Sequence, residues 1–245
     1  MRSVLITGGT GSVGRSLVKA FATTDFHVTF QFYSQLDAAA ELERETGAKG
    51  VACDLSSEDA CIALEPAHNC DILVNNAAIN NYREEAADVS IEGWRKTLLI
   101  NLTAPFLLCR STLPRMISKK WGRIINISSI YGLRGTENNL PYTVSKHGLS
   151  GLTKTIAREY GSKGITCNEI CPGPINSALL KRIGDYYHER GGVPTREFLQ
   201  SLEDEIPVRR LALPDDIAAC ALFLADEEAS YINGVSIPVD GGLIA

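Results

Sequence analysis

The chain has 245 residues, of which 44% are apolar and 22% charged, and a formal charge of −5. That is enough for one sizeable α/β domain or two small ones, and enough apolar surface to exclude large-scale disorder. The acidic balance argues against nonspecific nucleic-acid binding, and the absence of any run of 18 apolar residues argues against a membrane span.

The opening stretch, Met1 to Thr10, has one arginine and a short apolar strand that runs into glycines, unlike a secretory signal. Val4-Leu5-Ile6 is a continuous apolar run of the kind that buried parallel strands show. Further strands are expected at His27–Tyr33, Gly50–Cys53, Asp71–Val74, Arg123–Ile127, Ile165–Ile170 and Val235–Val239. Helical periods lie between them at Ala38–Thr46, Leu102–Lys119, Leu149–Tyr160 and Asp215–Asp226. This alternation predicts a doubly wound parallel α/β sheet with helices on both faces, in one domain covering residues 1–245. Right-handed crossovers then bring the strand C-termini to one edge, where ligands bind. Residues 175–207 break the pattern with charge, aromatics and Gly191-Gly192, and are expected to form a lid at that edge.

Strand one ends in Thr7-Gly8-Gly9-Thr10-Gly11-Ser12-Val13-Gly14 before a helix. Glycines let the backbone approach a pyrophosphate, and the helix N-terminus offers free N–H groups and a positive dipole end. Gly8, Thr10, Gly11, Ser12, Val13 and Gly14 are therefore candidate nucleotide contacts. Strand two ends in Gln31-Phe32-Tyr33-Ser34-Gln35, which lacks the carboxylate that favours NAD. NADP(H) is accordingly favoured over NAD(H), with Ser34 as the candidate phosphate contact. Asp54, with Leu55 beside it, follows strand three; it either accepts a hydrogen bond from the adenine amino group or N-caps the next helix.

Tyr142 and Lys146 are four residues apart in Tyr142-Thr143-Val144-Ser145-Lys146, and so share one helix face. A tyrosine of pKa about 10 is a poor base near neutrality. An ammonium roughly 5 Å away, at an effective dielectric of about 20, favours the phenolate by about 3 kcal/mol, and so suits Tyr142 to general acid/base work. Ser128-Ser129 ends strand five, with Ser129 13 residues before Tyr142. Asn75-Asn76-Ala77-Ala78 ends strand four, Asn101 follows it, Pro172-Gly173-Pro174-Ile175 ends strand six, and Asp240-Gly241-Gly242 closes the chain.

Together these motifs resemble the compact, single-domain form of the short-chain dehydrogenase/reductase family, along essentially the whole chain. The 3-hydroxybutyrate dehydrogenases and β-ketoacyl-acyl-carrier-protein reductases are similar. The resemblance implies a Rossmann-type three-layer fold and hydride transfer between a nicotinamide cofactor and a ketone or secondary alcohol. By motif position, Tyr142 looks like the proton donor and acceptor. Lys146 looks like the residue that acidifies it and holds the nicotinamide ribose. Ser129 looks like the hydroxyl that positions the substrate oxygen, and Asn101 like the residue ordering a water that relays protons to Lys146. Asn76 and Ile175 resemble contacts to ribose and nicotinamide. The resemblance also implies a homodimer or homotetramer built through 102–119 and 149–160. Three positions depart from the pattern: Ser12 stands where the compact form has glycine, Ala78 replaces a glycine and Ser177 a threonine.

Asn80, Asn81, Tyr131, Arg134 and Asn138 are expected to face the substrate, with Arg182, Tyr186, Tyr187, His188 and Arg190 on the lid. They point to a polar small molecule, with an anionic one among the options. The alternative is a catalytically silent nucleotide-sensing or scaffolding protein on the same fold; such proteins typically lose the Tyr or the Lys, and both stand here. An enoyl reductase would space Tyr and Lys more widely, and a sugar epimerase would need a further domain. The seven cysteines contain no C-x-x-C pair and suit a reducing, cytoplasmic setting, and the four histidines lack metal-ligand spacing, so no metal is expected.

Overall fold

The protein's structure is a computed structural model that describes residues 1–80 and 84–245. Its strands are β1 (Arg2–Ile6), β2 (Phe26–Phe32), β3 (Lys49–Ala52), β4 (Ile72–Asn75), β5 (Gly122–Ile127), β6 (Ile165–Pro172) and β7 (Ser236–Val239). Each lies within two residues of its expected bounds. They form one sheet in the order β3-β2-β1-β4-β5-β6-β7, and every recorded pairing is parallel. The chain lays β1, β2 and β3 in one direction, then returns to place β4 on the other side of β1. This is the reversal at which doubly wound sheets open a crevice.

Alternation along the strands feeds two cores. Val4 and Ile6 face one side with Leu17, Phe21, Phe30 and Leu224, under α1 (Ser12–Ala22), α2 (Leu36–Thr46) and α10 (Pro214–Ala225). Leu5 faces the other with Leu73, Leu108, Met116 and Ile156, under α6 (Ala104–Lys119) and α7 (Leu140–Tyr160). β4, β5 and β6 are buried along their whole lengths, including the polar side chains they carry, Asn75, Arg123, Asn126, Asn168 and Glu169 among them.

The differences from the expected helices are local. α7 starts at Leu140, nine residues before its apolar period becomes visible, and those added turns carry Tyr142 and Lys146. Short helices α3 (Glu58–Ala63) and α4 (Glu65–Asn69) link β3 to β4. Ser57 caps α3 by accepting the Ala60 N–H at 3.2 Å; Asp54 is not its N-cap, and instead accepts from the N–H and hydroxyl of Ser56 at 2.8 and 2.7 Å. After α5 (Ile91–Leu98), a π-helical turn, Leu99–Thr103, precedes α6, so Leu102–Lys119 is not one regular helix. The stretch 175–207 folds largely into two further helices, α8 (Ala178–Glu189) and α9 (Thr195–Glu205). They meet at Gly184, where a Cβ would stand 2.8 Å from Thr195 Cγ2 and 3.0 Å from Phe198.

Candidate active site

One cleft of about 1110 Å³ runs along the C-terminal edge of the sheet. That exceeds the ~300–1,000 Å³ of an ordinary small-molecule site and leaves room for a dinucleotide beside a second molecule. Gly8, Thr10, Gly11, Ser12, Val13, Gly14, Ser34, Asp54, Leu55, Asn76, Ser129, Tyr142, Lys146 and Ile175 all line it. Asn101 does not.

The glycine-rich turn is shaped partly by the protein's own atoms and partly for something else. Gly8 takes φ +66, and a Cβ on Gly14 would stand 2.0 Å from the Gly8 carbonyl oxygen, so both positions need glycine for the turn itself. A Cβ on Gly11 would meet only that same oxygen, at 3.4 Å. Gly11 is exposed to the cleft, and its smallness serves an approaching ligand. It is also the N-cap of α1 without any side-chain cap, and the first turn holds no acidic residue. The N–H groups there remain open, with the dipole's positive end behind them, which fits a pyrophosphate.

Gln31 was not singled out as a contact in the sequence, yet it ties this turn down. Its buried side chain accepts the Gly8 N–H at 2.9 Å and donates to the Cys53 carbonyl at 2.6 Å, while its own carbonyl accepts the Gly9 N–H at 2.8 Å. Asn76 closes the other side, donating through Nδ2 to the Thr7 carbonyl at 2.8 Å. Ser34 is exposed at the adenosine end beside Tyr33 and Gln35. Arg15, the arginine next to the turn, is occupied by Glu41 and Glu45 at 3.0 and 3.5 Å.

At the other end, Tyr142 and Lys146 are one turn apart on α7. The Lys146 Nζ lies 5.5 Å from the Tyr142 ring centroid and donates to the Ile127 carbonyl at 2.8 Å. Lys146 is only 2% exposed, and burial holds its pKa down to about 8 from an ordinary 10.5, against the opposing pull of Cys171 and Glu169. Ser129 Oγ accepts the Tyr131 N–H at 3.1 Å, which leaves its own proton and a second lone pair for a ligand in the cleft.

Asn101 acts from behind. Its Oδ1 accepts the Ile79 N–H at 2.8 Å, and its Nδ2 donates to the Ile79 carbonyl at 2.9 Å and to Ser145 Oγ at 3.2 Å. Ser145 in turn donates to the Tyr142 carbonyl at 2.6 Å. The Asn101 side chain thus fixes the β4 loop against the first turns of α7, and both of its amide protons are spent on protein.

Of the residues expected at the substrate, Asn80, Tyr131, Arg182 and Tyr187 line the cleft. Arg134 and Asn138 do not: both are exposed, Arg134 lying 6.0 Å over the Tyr131 ring and Asn138 in a left-handed conformation at φ 52. Tyr186, His188 and Arg190 are also outside it; Arg190 lies 3.7 Å over the Tyr186 ring. Asn81 falls outside the described residues. Lys96 on α5, which the sequence did not single out, lines the cleft as well. Ser177, in a threonine's usual place, caps α8 by accepting the Leu180 N–H at 3.3 Å. All seven cysteines are free thiols. No helix among the described residues is long and apolar enough to cross a membrane, and no group of three or more His, Cys, Asp or Glu there could hold a metal.

The sheet order, the open helix terminus at its crevice and the Tyr–Lys pair beyond it define a dinucleotide-dependent enzyme of the Rossmann class. Residues 8–244 match the family model described as Enoyl-(Acyl carrier protein) reductase. The 3-oxoacyl-(acyl-carrier-protein) reductase FabG of Aquifex aeolicus is 34% identical over 249 residues, spanning 98% of this chain and 96% of that protein. The D-beta-hydroxybutyrate dehydrogenase of Cupriavidus necator is 31% identical over 255 residues, spanning 100% and 98%. The solved structure of an actinorhodin polyketide ketoreductase variant with NADPH matches at a TM-score of 0.92 and 29% identity, covering 99% of this chain and 97% of that one. The chain belongs to the short-chain dehydrogenase/reductase family. It is an NAD(P)-binding oxidoreductase of a ketone and secondary alcohol pair.

Two outcomes follow from this geometry. Gly11→Ala should leave the melting temperature of the free protein within a degree or two but weaken nucleotide binding at least tenfold, whereas Gly14→Ala should lower both. Calorimetry with and without nucleotide checks this, and equal destabilisation by the two changes would contradict it. Lys146→Met should remove a charging penalty of about 3 kcal/mol, offset in part by orphaning the Ile127 carbonyl. The unfolded chain holds its Lys146 proton up to pH ~10.5, while the folded chain releases it near 8, so the penalty is full below pH 8 and fades as pH rises toward 10.5. The stability difference between variant and parent should therefore shrink over that window, and a difference that is flat with pH would refute the burial argument.

Proposed function

We propose that the protein reduces a polar 3-oxo compound to its 3-hydroxy product, or runs the reverse, with Tyr142 as general acid/base and NADP(H) favoured over NAD(H). The observation that carries this reading is the convergence of Tyr142, Lys146 and Ser129 on the same cleft as the open N-terminus of α1.

Gly11, the first turn of α1 and Asn76 fit a dinucleotide, and Lys146 and Ile175 border its nicotinamide end. The bound nicotinamide supplies or accepts the hydride. Ser129 donates its free hydroxyl proton to the substrate oxygen and fixes it beside Tyr142. In reduction, Tyr142 gives its phenolic proton to that oxygen as the carbonyl carbon becomes tetrahedral; in oxidation, it takes the proton back. The Lys146 ammonium stabilises the phenolate left behind, in a region from which burial excludes water. Asn101 is a positioning residue that holds the helix turn on which Tyr142 stands.

Several observations support the finer points. The four-residue spacing of Tyr142 and Lys146 favours a ketone over an enoyl substrate. Leu179, Ile183, Tyr187, Phe198 and Leu202 give α8 and α9 an apolar face on the cleft, as a closing lid requires. The preference for NADP(H) rests on the absence of a carboxylate at Tyr33-Ser34-Gln35 and not on a cation, since Arg15 is engaged elsewhere. Phe106 on α6 is 47% exposed, which suits the homodimer or homotetramer expected through that helix.

Tyr142→Phe should lower kcat/KM about a hundredfold to ten-thousandfold while NADPH still binds. Near-parental turnover would refute the assignment. For the parent enzyme, kcat/KM for reduction should fall as pH rises past about 8, because Lys146 loses its charge there. A rate that stays level to pH 10 would dissociate Lys146 from the chemistry. Ser34→Asp should move the NADPH/NADH ratio of kcat/KM toward NADH, and an unchanged ratio would show that Ser34 is not the selector.

A further inference from the structure

β6 carries a glutamate at a place where a buried parallel strand is usually apolar. Glu169 is fully buried. Its Oε1 accepts the hydroxyl of Ser236 on β7, and its Oε2 has no hydrogen-bond partner among the described residues. A half-satisfied carboxylate in such a place is unfavourable for the fold, and none of the roles assigned above makes use of it.

The strand register shows what it faces. Cys167 belongs to the core under α6 and α7 and Ile170 to the opposite one, so alternation turns Glu169 and Cys171 to the α7 side. Asn126 of β5 faces that side too, donating to Thr153 of α7 at 2.8 Å, and it is the residue directly beside Glu169. Lys146 enters the same layer from α7 and donates to the carbonyl of Ile127, the next residue of β5. With strands about 4.8 Å apart and a rise of about 3.3 Å per residue, the Cα atoms of Glu169 and Ile127 are about 6 Å apart. One carboxylate oxygen is on Ser236 and the other is unbonded, so Glu169 does not pair directly with the ammonium, but the two charges act on each other through the layer. The other titratable groups on this face of β6 are neutral: burial pushes the Cys171 thiol up to about 12 and that of Cys167 well above its ordinary value. On α7, Tyr142 is one turn before Lys146, and His147, Lys154, Arg158 and Glu159 are exposed. Arg123 of β5 lies on the opposite face, bonded to the Asp226 carbonyl, Tyr131 after β5 lines the cleft, and β7 holds no titratable residue. Glu169 is thus the negative charge that Lys146 meets inside the protein.

We propose that Glu169 is a positioning residue of the active site, whose buried carboxylate holds the positive charge on Lys146 and, through it, favours the Tyr142 phenolate. Burial strips the Lys146 ammonium of water, and a carboxylate in the same water-poor layer restores part of the lost stabilisation. Because it stands back from Lys146, it supports the charge without capping it, and the field of the ammonium still reaches the Tyr142 ring 5.5 Å away. The unbonded Oε2 leaves the carboxylate uncompensated on that side, which lets its charge act over the distance. The proposal rests on the assignment of Tyr142 and Lys146 to proton transfer and adds the residue behind them.

Glu169→Gln removes the charge and keeps the shape and the bond to Ser236, while Glu169→Met removes the buried polar atoms as well, so the test does not hang on the amide fitting. Two quantities are followed with pH: the Lys146 side-chain resonance in 13C-lysine-labelled protein, assigned by its loss in Lys146→Met, and kcat/KM for ethyl acetoacetate with NADPH. Both midpoints, near 8 in the parent, should move about one pH unit lower in either variant, because the charged form of Lys146 has lost its support. The rate should then fall about fivefold at pH 8 and stay close to parental at pH 6. Glu169→Asp, which keeps a carboxylate there, should recover most of the shift. A Lys146 midpoint unmoved in both variants, whatever the rate does, would overturn the proposal and leave Glu169 a structural residue. A midpoint that moves while the rate profile stays in place would uphold the electrostatic link and strike the assignment of Lys146 to the chemistry instead.

Discussion

Lys146 carries its ammonium into a place that water does not reach, held by one carbonyl at 2.8 Å and facing the ring of Tyr142. An isolated buried charge of this kind is unfavourable, and the protein answers by lowering the pKa to about 8 and not by supplying a carboxylate partner. An ion-pair partner at Lys146 would neutralise the field that Tyr142 needs. The surrounding scaffold has to overcome that cost, and its means are ordinary ones: two apolar cores, each sealed by helices, with β4, β5 and β6 buried along their lengths.

The same scaffold explains why the two halves of the cleft face each other. The chain reverses direction across the sheet between β1 and β4, so the turn after β1 and the loop after β4 diverge and leave a crevice. Thr7 bridges the two, its hydroxyl accepting the N–H groups of Asn76 and Ala77 at 2.9 and 3.0 Å. Gln31 anchors the turn from the other side, to the end of β3. β5 lies one strand further along, and its end delivers Ser129 while α7 packs across it with Tyr142. The functional groups come from the segments after β1, β4, β5 and β6, and the parallel sheet brings those strand ends to one edge.

Much of this was legible in the amino-acid order, for physical reasons. Strands covered on both faces are largely apolar, so Ile72-Leu73-Val74 of β4 and Ile124-Ile125 of β5 announced themselves, while the buried Asn75 and Asn126 are bonded to each other at 2.8 Å. The glycine-rich turn was legible because Gly8 and Gly14 tolerate nothing larger. The start of α7 was obscure: Leu140-Pro141-Tyr142-Thr143 shows no apolar period, because Tyr142 and Lys146 serve the cleft instead of the core. The work of Asn101 was hidden because its partners, Ile79 and Ser145, are 22 and 44 residues away in sequence. Arg134 and Asn138 lay near the right motif but do not line the cleft, since proximity in sequence to Ser129 does not fix placement in a loop. Lys96 escaped notice for the converse reason: nothing around it in α5 distinguishes it from a solvated surface lysine until the fold sets it beside the cleft.

The central claim is that Tyr142 and the ring of a bound nicotinamide address the same substrate atoms. A crystal structure of the protein with NADP(H) measures it directly. The account requires the Tyr142 hydroxyl within about 5 Å of the nicotinamide C4, the span of one hydrogen bond and one near-attack contact across a carbonyl. A hydroxyl more than about 8 Å from C4, with α8 and α9 closed over the cleft, would contradict it.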